Sequence, residues 1–339
     1  MVSANITIAT VPVGNPYNAP DPNTGSIFGQ VNYTYNIGEY DVTSSEYTTF
    51  LNAVAGVDTY GLYNSNMAGG GYSGAYGCGI SIQSGAGTAL NPYTYTVAAG
   101  FVNRPVTWVS LWDATRFANW LDNGQPNGPE GAGTTETGTY TLTPAAISAN
   151  TVTRNAGATW AVSSENEWYK AAYYNPATQM YYEYPTSSNT TPGNNLADPF
   201  PGNNANYYNG IAPTPIDGGY YTTPVGQFAN SPSPYGTFDQ GGDVFQWNDT
   251  ILYGSYRGLR GGSFNDNFVG LESSFRDPDV IPTVESPDLG FRVVLLPEPG
   301  SLALLAVGGL GLMLRRRRIL TQRAQRDVRT AEKLFNKMF

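Results

Sequence analysis

Asp239, Asp243 and Asp249 fall within one eleven-residue stretch, around the glycines Gly241 and Gly242. Carboxylates and backbone carbonyls crowded into a tight loop are hard oxygen ligands of the kind Ca²⁺ gathers, ~6–8 at a time. The same stretch read without a metal is a loop of Asx turns. Asp277 and Asp279 form a second acidic pair, open to acid/base hydrolysis and equally to an ordinary surface position. Gly69, Gly71 and Gly74 match GxGxxG by count, but no strand precedes them and no helix follows, so a plain glycine loop is expected. Cys78 is the one cysteine, and histidine is absent. These counts exclude a His-ligated metal, a Ser–His or Cys–His nucleophile pair and an intrachain disulfide. A lone thiol reads as a small packed residue.

The charges separate two regions. Nine of the 17 Lys and Arg lie in residues 315–339, leaving 24 acidic and eight basic side chains in residues 1–314, a net charge of −16. Such a field repels phosphate backbones, so nucleic acid is not an expected partner. With 40 Gly, 24 Pro and 25 Tyr in 339 residues, the body is expected to be turn-rich with ample apolar material for a core.

Three hydroxyl–x–x–acid sequences mark helix starts: Thr43 to Glu46, Ser110 to Asp113 and Ser164 to Glu167. In each, the hydroxyl can accept a backbone N–H while the acid reaches back to the cap. The second helix puts Phe117, Trp120 and Leu121 on one face, which must pack against a sheet or another helix. Strand-like stretches at 31–40, 139–142 and 290–295 alternate with Gly, Pro and Asn clusters. An α+β body rich in loops follows. Trp160, Trp168 and Trp247 read as core anchors. Arg260, Arg276 and Arg292 are three of only eight cations in the acidic body, so pairing with carboxylates such as Asp243 or Glu167 is expected.

Residues 300–314 are an uncharged apolar run followed by Arg315, Arg316, Arg317 and Arg318. As a helix the run spans ~22 Å against ~30 Å of hydrocarbon, a marginal crossing that snorkelling arginines extend. The cationic cluster belongs on the cytoplasmic side, placing the body across the membrane. Preceded by Pro297, Glu298 and Pro299, the segment resembles a PEP-CTERM sorting signal. That resemblance implies recognition by an exosortase-type protease and export to the cell envelope. The first fifteen residues carry neither the basic segment nor the apolar stretch of a secretory signal, so an export signal is expected upstream. The expected organisation is an N-terminal extension (1–29), a folded domain (30–296), a sorting and membrane segment (297–318) forming a hydrophobic helix, and a basic cytoplasmic tail (319–339).

Five segments in order resemble the sulfatase-modifying-factor family, whose founding activity is formylglycine generation: IGEYDVTSSEYTTFLNAV (37–54), NRPVTWVSLWDATRFANWL (103–121), WAVSSENEWYKAAYY (160–174), YGTFDQGGDVFQWND (235–249), and RGLRGGSF with FRDPD and LGFRVV (257–264, 275–279, 289–294). The resemblance implies a C-type-lectin-like α+β fold with little regular secondary structure and calcium-shaped loops. Carried over by position, one calcium site falls on Asn206 and Asp217 and the other on Asp239, Gly242, Asp243 and Gln246. The oxidase members hold copper with two cysteines after the GGS sequence; here those positions are Asp266 and Leu271. A carboxylate and a leucine cannot replace a two-thiolate Cu(I) site, so no copper is expected. The expectation is a non-catalytic, calcium-stabilised envelope protein. It would bind a glycan or peptide through loops bearing Asp266, Asn267, Arg276 and Asp277. A formylglycine-generating enzyme and a purely structural envelope protein are the alternatives.

Overall fold

Each of the three hydroxyl–x–x–acid sequences starts a helix in the computed structural model, which describes residues 5–69, 76–210, 216–277 and 280–297. Helix α1 is Ser44–Val54, α2 is Leu111–Asp122, α3 is a short turn at Pro144–Ser148, and α4 is Glu165–Tyr173. Thr43, Ser110 and Ser164 cap α1, α2 and α4, and in each the acid at the third helical position returns a bond to the cap N–H. The Ser110 N–H donates to Asp113 Oδ2 at 2.8 Å and the Ser164 N–H to Glu167 Oε2 at 2.7 Å. Losing such a cap costs ~1 kcal/mol.

The strands are β1 (Thr10–Val13), β2 (Tyr35–Gly38), β3 (Ile80–Ser84), β4 (Thr94–Val97), β5 (Trp160–Val162), β6 (Tyr174–Asn175), β7 (Met180–Tyr181), β8 (Phe245–Leu252), β9 (Tyr256–Arg260), β10 (Leu289–Phe291) and β11 (Val293–Leu295). Four of them form a sheet in the order β1-β2-β11-β5, and three form another in the order β10-β8-β9, in which β10 runs parallel to β8. The short pairs β3-β4 and β6-β7 complete the set among the described residues. Part of the stretch read as an N-terminal extension is therefore built into the first sheet, since β1 pairs with β2 from Thr10↔Gly38 to Val13↔Tyr35.

The strand-like stretch at 290–295 divides between the two sheets, with Arg292 at the junction. Its guanidinium turns inward and is fully buried. Residues 139–142 form no strand and contribute a single bridge, Tyr140↔Arg154. Where the sheets meet α1 and α2 lies an aromatic core. Phe117 meets Phe50 edge-on at 5.3 Å and Phe291 at 5.4 Å, and Phe50 lies 5.3 Å from Trp120. Burying each such side chain is worth ~1.5–3 kcal/mol. Trp168 and Trp247 are buried as read from the sequence, whereas Trp160, on β5, is only half-buried against the core.

Among the described residues no helix is long and apolar enough to cross a membrane. Residues 300–314 and the tail after them lie outside the described residues, as do Asp279 and most of the glycine loop at 69–74.

Candidate functional site

Arg260, Arg276 and Arg292 lie against carboxylates, but not the ones named for them from the sequence. Arg260, on β9, meets Glu165 Oε1 through Nη2 at 2.8 Å and Nε at 3.1 Å, and also donates to the carbonyls of Ser273 and Phe275. Arg276 reaches the same Glu165 at 3.1 Å. Arg292 lies 3.5 Å from Asp41 Oδ1 and donates to the carbonyls of Gly38 and Phe238 and to Gln246 Oε1. Glu167 belongs instead to Arg154, at 2.7 and 2.9 Å. Burial alone would raise the Glu167 carboxyl, but Arg154, the Tyr33 hydroxyl and the Ser164 N–H outweigh it and hold the group at about 2.

Asp243 is held by protein donors. Its Oδ1 accepts from Asn206 Nδ2 at 2.6 Å and the Thr223 N–H at 2.8 Å, and its Oδ2 from the Thr223 hydroxyl at 2.8 Å. The backbone N–H of Asp243 donates to the Asn206 carbonyl at 2.8 Å. Gly242 must be glycine here: φ is +83°, and an added Cβ would lie 2.2 Å from the Asn206 carbonyl oxygen. Asn206, named from the resemblance for one calcium site, is thus bridged to Gly242 and hydrogen-bonded to Asp243, which were named for the other.

Gln246 is likewise committed. Its Oε1 accepts from the Trp168 indole at 2.6 Å and from Arg292 at 3.0 Å, and its Nε2 donates to the Asp239 carbonyl at 2.9 Å. Asp217 forms an ion pair with Arg104, whose guanidinium also lies over the Tyr220 ring, 3.8 Å from its centroid. Asp249 takes the Tyr140 hydroxyl and Arg154.

Asp239 differs from these. Its Oδ2 accepts from the Gly226 N–H at 2.6 Å, yet its buried Oδ1 has no hydrogen-bond partner. Burial pushes the Asp239 and Asp243 carboxyls up from the ordinary range, and Asp239 raises Asp243 further. Among the described residues no three Asp, Glu or Cys side chains converge as a metal cluster. In the Asn206–Asp217 set, the Asn206 amide donates to Asp243 and Asp217 faces the Arg104 guanidinium. In the second set, Asp239 Oδ1 is the carboxylate oxygen without a protein donor, the kind of hard oxygen that suits calcium.

At the two positions where oxidase members carry thiols, the structure places a folded-back acid and a core residue. Asp266 Oδ2 accepts from the Ser263 N–H at 3.1 Å and from the Ser263 hydroxyl. Burial pushes the Asp266 carboxyl up, Ser263 opposes this, and the nearby Asp288 and Asp277 add to it. Asn267 caps the turn Phe268–Leu271 by accepting the Val269 N–H at 2.9 Å. Leu271 is fully buried in a cluster with Tyr184, Ala205 and Tyr207. The backbone of Asp277 pairs with Leu259, and the Arg276 guanidinium faces Glu165 and Tyr253. The four residues read as a ligand surface are thus neighbours along one loop, with Arg276 turned to an internal partner. Cys78 is buried, with its thiol pushed up by that burial.

Beside Phe264 lies a depression that the sequence did not reveal. It is partly open to solvent, has a cavity volume of about 10 Å³, and is lined by Tyr76, Phe264, Tyr221, Thr107, Thr222 and Pro287 among others. Tyr76 meets Tyr221 edge-on with ring centroids 4.0 Å apart, and Phe264 lies 5.2 Å from Tyr221. Thr107 is buried, and its hydroxyl and carbonyl face the buried Cys78 thiol. The available signal was the abundance of Tyr in glycine-rich loops; nothing local in the sequence pairs position 76 with 221 or 264.

Residues 22–296 match the model of the Sulfatase-modifying factor enzyme 1-like domain. The chain belongs to the sulfatase-modifying factor family. Residues 296–318 match the PEP-CTERM protein-sorting motif, which marks this family member as an exported, envelope-associated protein handled by the exosortase sorting system. The crystal structure of CarF is similar, with a TM-score of 0.50 at 20 % identity over 86 % of this chain and 99 % of CarF. That likeness shows the α+β fold of the sulfatase-modifying factors. Treponema denticola variable protein 1 gives a TM-score of 0.47 at 16 % identity, over 88 % of this chain and 98 % of its own. PvdO from Pseudomonas aeruginosa gives 0.42 at 18 %, over 86 % and 92 %. No curated protein sequence matches the chain.

Proposed function

We propose that this sulfatase-modifying-factor domain is a non-catalytic binding module, displayed outside the cell and tethered through residues 300–314 until the sorting protease acts. Its ligand is a glycan or a peptide, taken on the loop face that carries Asp266 and Phe264. The observation supporting this reading is the fate of the two thiol positions: Asp266 is folded back onto Ser263, and Leu271 is sealed among Tyr184, Ala205 and Tyr207. Neither side chain offers the soft sulfur that selects Cu(I). Calcium belongs to this reading as a loop-stabilising ion at Asp239, supported by that residue's unpartnered buried oxygen.

The test is incubation of the purified chain with copper and a cysteine-containing sulfatase peptide. The expected result is an unchanged peptide by mass spectrometry and no stoichiometric copper on the protein. Conversion of the cysteine to an aldehyde would overturn the proposal in favour of an oxidase with a different ligand set.

A further inference from the structure

We infer that Tyr17 and Tyr253 are oxidative cross-linking sites, through which peroxide couples one copy of this chain to the next as dityrosine. Tyr17 is 75 % exposed and Tyr253 76 %, whereas no other described tyrosine exceeds 43 %. The backbone singles out the same two residues. Tyr17 has φ of 62° and Tyr253 φ of 46°, a left-handed conformation that is an outlier for a bulky side chain. Glycine or asparagine suits such a turn position, and strain that persists in a folded protein points toward function.

Both turns are pinned to the folded body. The Tyr17 N–H donates to the Val31 carbonyl at 2.9 Å, and two residues earlier the Asn15 carbonyl accepts from Lys170 Nζ at 2.8 Å. Tyr253 lies in the turn between β8 and β9, beside Gly254 with φ of 79°, and its hydroxyl accepts from Arg276 Nη2 at 3.3 Å.

Two common routes to a covalent link between copies are closed. The one cysteine, Cys78, is buried, which excludes an interchain disulfide. Lys170 is the one lysine before the basic tail, and it is buried as well, so the body has no surface lysine for amine coupling. Exposed phenols remain. Hydrogen peroxide, acting through a peroxidase, takes one electron and the O–H proton from each of two tyrosines. The two phenoxyl radicals join through ring carbons ortho to oxygen, and the displaced ring hydrogens move to the oxygens. In sum, two tyrosines and one hydrogen peroxide give one dityrosine and two waters. As an exported protein, the chain leaves the reducing thiols of the cytosol behind. Two sites per chain permit polymers of many copies, where a single site would stop at dimers.

The experiment treats the full-length chain, in detergent micelles, with a peroxidase and hydrogen peroxide, beside Tyr17→Phe, Tyr253→Phe and the double variant. Each substitution removes only an exposed hydroxyl, so all three should melt with the parent. The parent is expected to gain dityrosine fluorescence and a ladder of covalent multimers on denaturing gels. Each single variant should stop at dimers, and the double variant should stay monomeric. In a mixture of isotope-labelled and unlabelled chain, digestion and mass spectrometry should find mixed pairs of linked peptides carrying Tyr17 or Tyr253. A ladder that survives in the double variant, or links mapped to other tyrosines, would overturn the assignment of the two sites. A parent that stays monomeric under peroxide, or links confined within single chains, would overturn the inference altogether. The binding-module reading stands or falls separately, on the aldehyde test described above.

Discussion

Replacing Glu167 with Gln tests how the internal ion pairs act on stability. Glu167 is fully buried and accepts bonds from Arg154 at 2.7 and 2.9 Å, from the Tyr33 hydroxyl at 2.6 Å and from the Ser164 N–H at 2.7 Å. Its carboxyl is held at about 2, against 4.5 for an unperturbed glutamate. That difference corresponds to ~3 kcal/mol favouring the ionised folded state. Because the folded value is depressed, this stabilisation is fully present above the unfolded value of 4.5. It is lost as pH falls toward about 2. Glu167→Gln leaves Arg154 with Asp249 as its carboxylate partner, at 2.6 Å, and should cost ~3–5 kcal/mol near neutral pH. Urea unfolding followed by tryptophan fluorescence, in steps from about pH 7 to about pH 2, gives the gap between parent and variant. The gap should shrink by ~3 kcal/mol across that range. A gap independent of pH would show that Glu167 is not the acid whose ionisation this network stabilises.

Calcium should raise the unfolding free energy by ~2.7 kcal/mol when free ion stands at ~100 times Kd, with Asp239→Ala abolishing the response to chelator. Identical melting with and without chelator would remove calcium from the account. Leu271→Ala should cost ~2–5 kcal/mol, since it opens a cavity among Tyr184, Ala205 and Tyr207. A loss well under 1 kcal/mol in thermal or urea unfolding would contradict the buried packing argued for the second thiol position.

Helix starts were legible in the sequence because a capping box is a local device: hydroxyl and acid sit three positions apart and need no distant partner. The arginine partners were not. Glu165 and Glu167 are two residues apart on α4, and at 3.6 residues per turn they project to nearly opposite sides. The sequence offers both, and only the tertiary fold settles that Arg260 takes Glu165 while Arg154 takes Glu167. Asn206 and Asp243 were named by resemblance for two separate calcium sites, and their bond to each other was not. That Thr223 would supply two of the donors to Asp243 depends on a contact between segments twenty residues apart. The aromatic depression is the extreme case, since Tyr76, Tyr221 and Phe264 come together through topology alone.

Strand β11 has partners on both of its edges, β2 on one and β5 on the other, and it ends at Leu295, just before the sorting motif begins. Tension carried along the backbone from the sorting motif would reach the folded body at that strand. Leu295 is aligned with Asn36 on one side and Trp160 on the other, so the load divides between two rows of backbone bonds instead of unzipping one. A surface-displayed protein dragged by flow or by a bound polymer would thus be pulled on at an interior strand of its sheet, where single bonds cannot be broken one after another from a free edge.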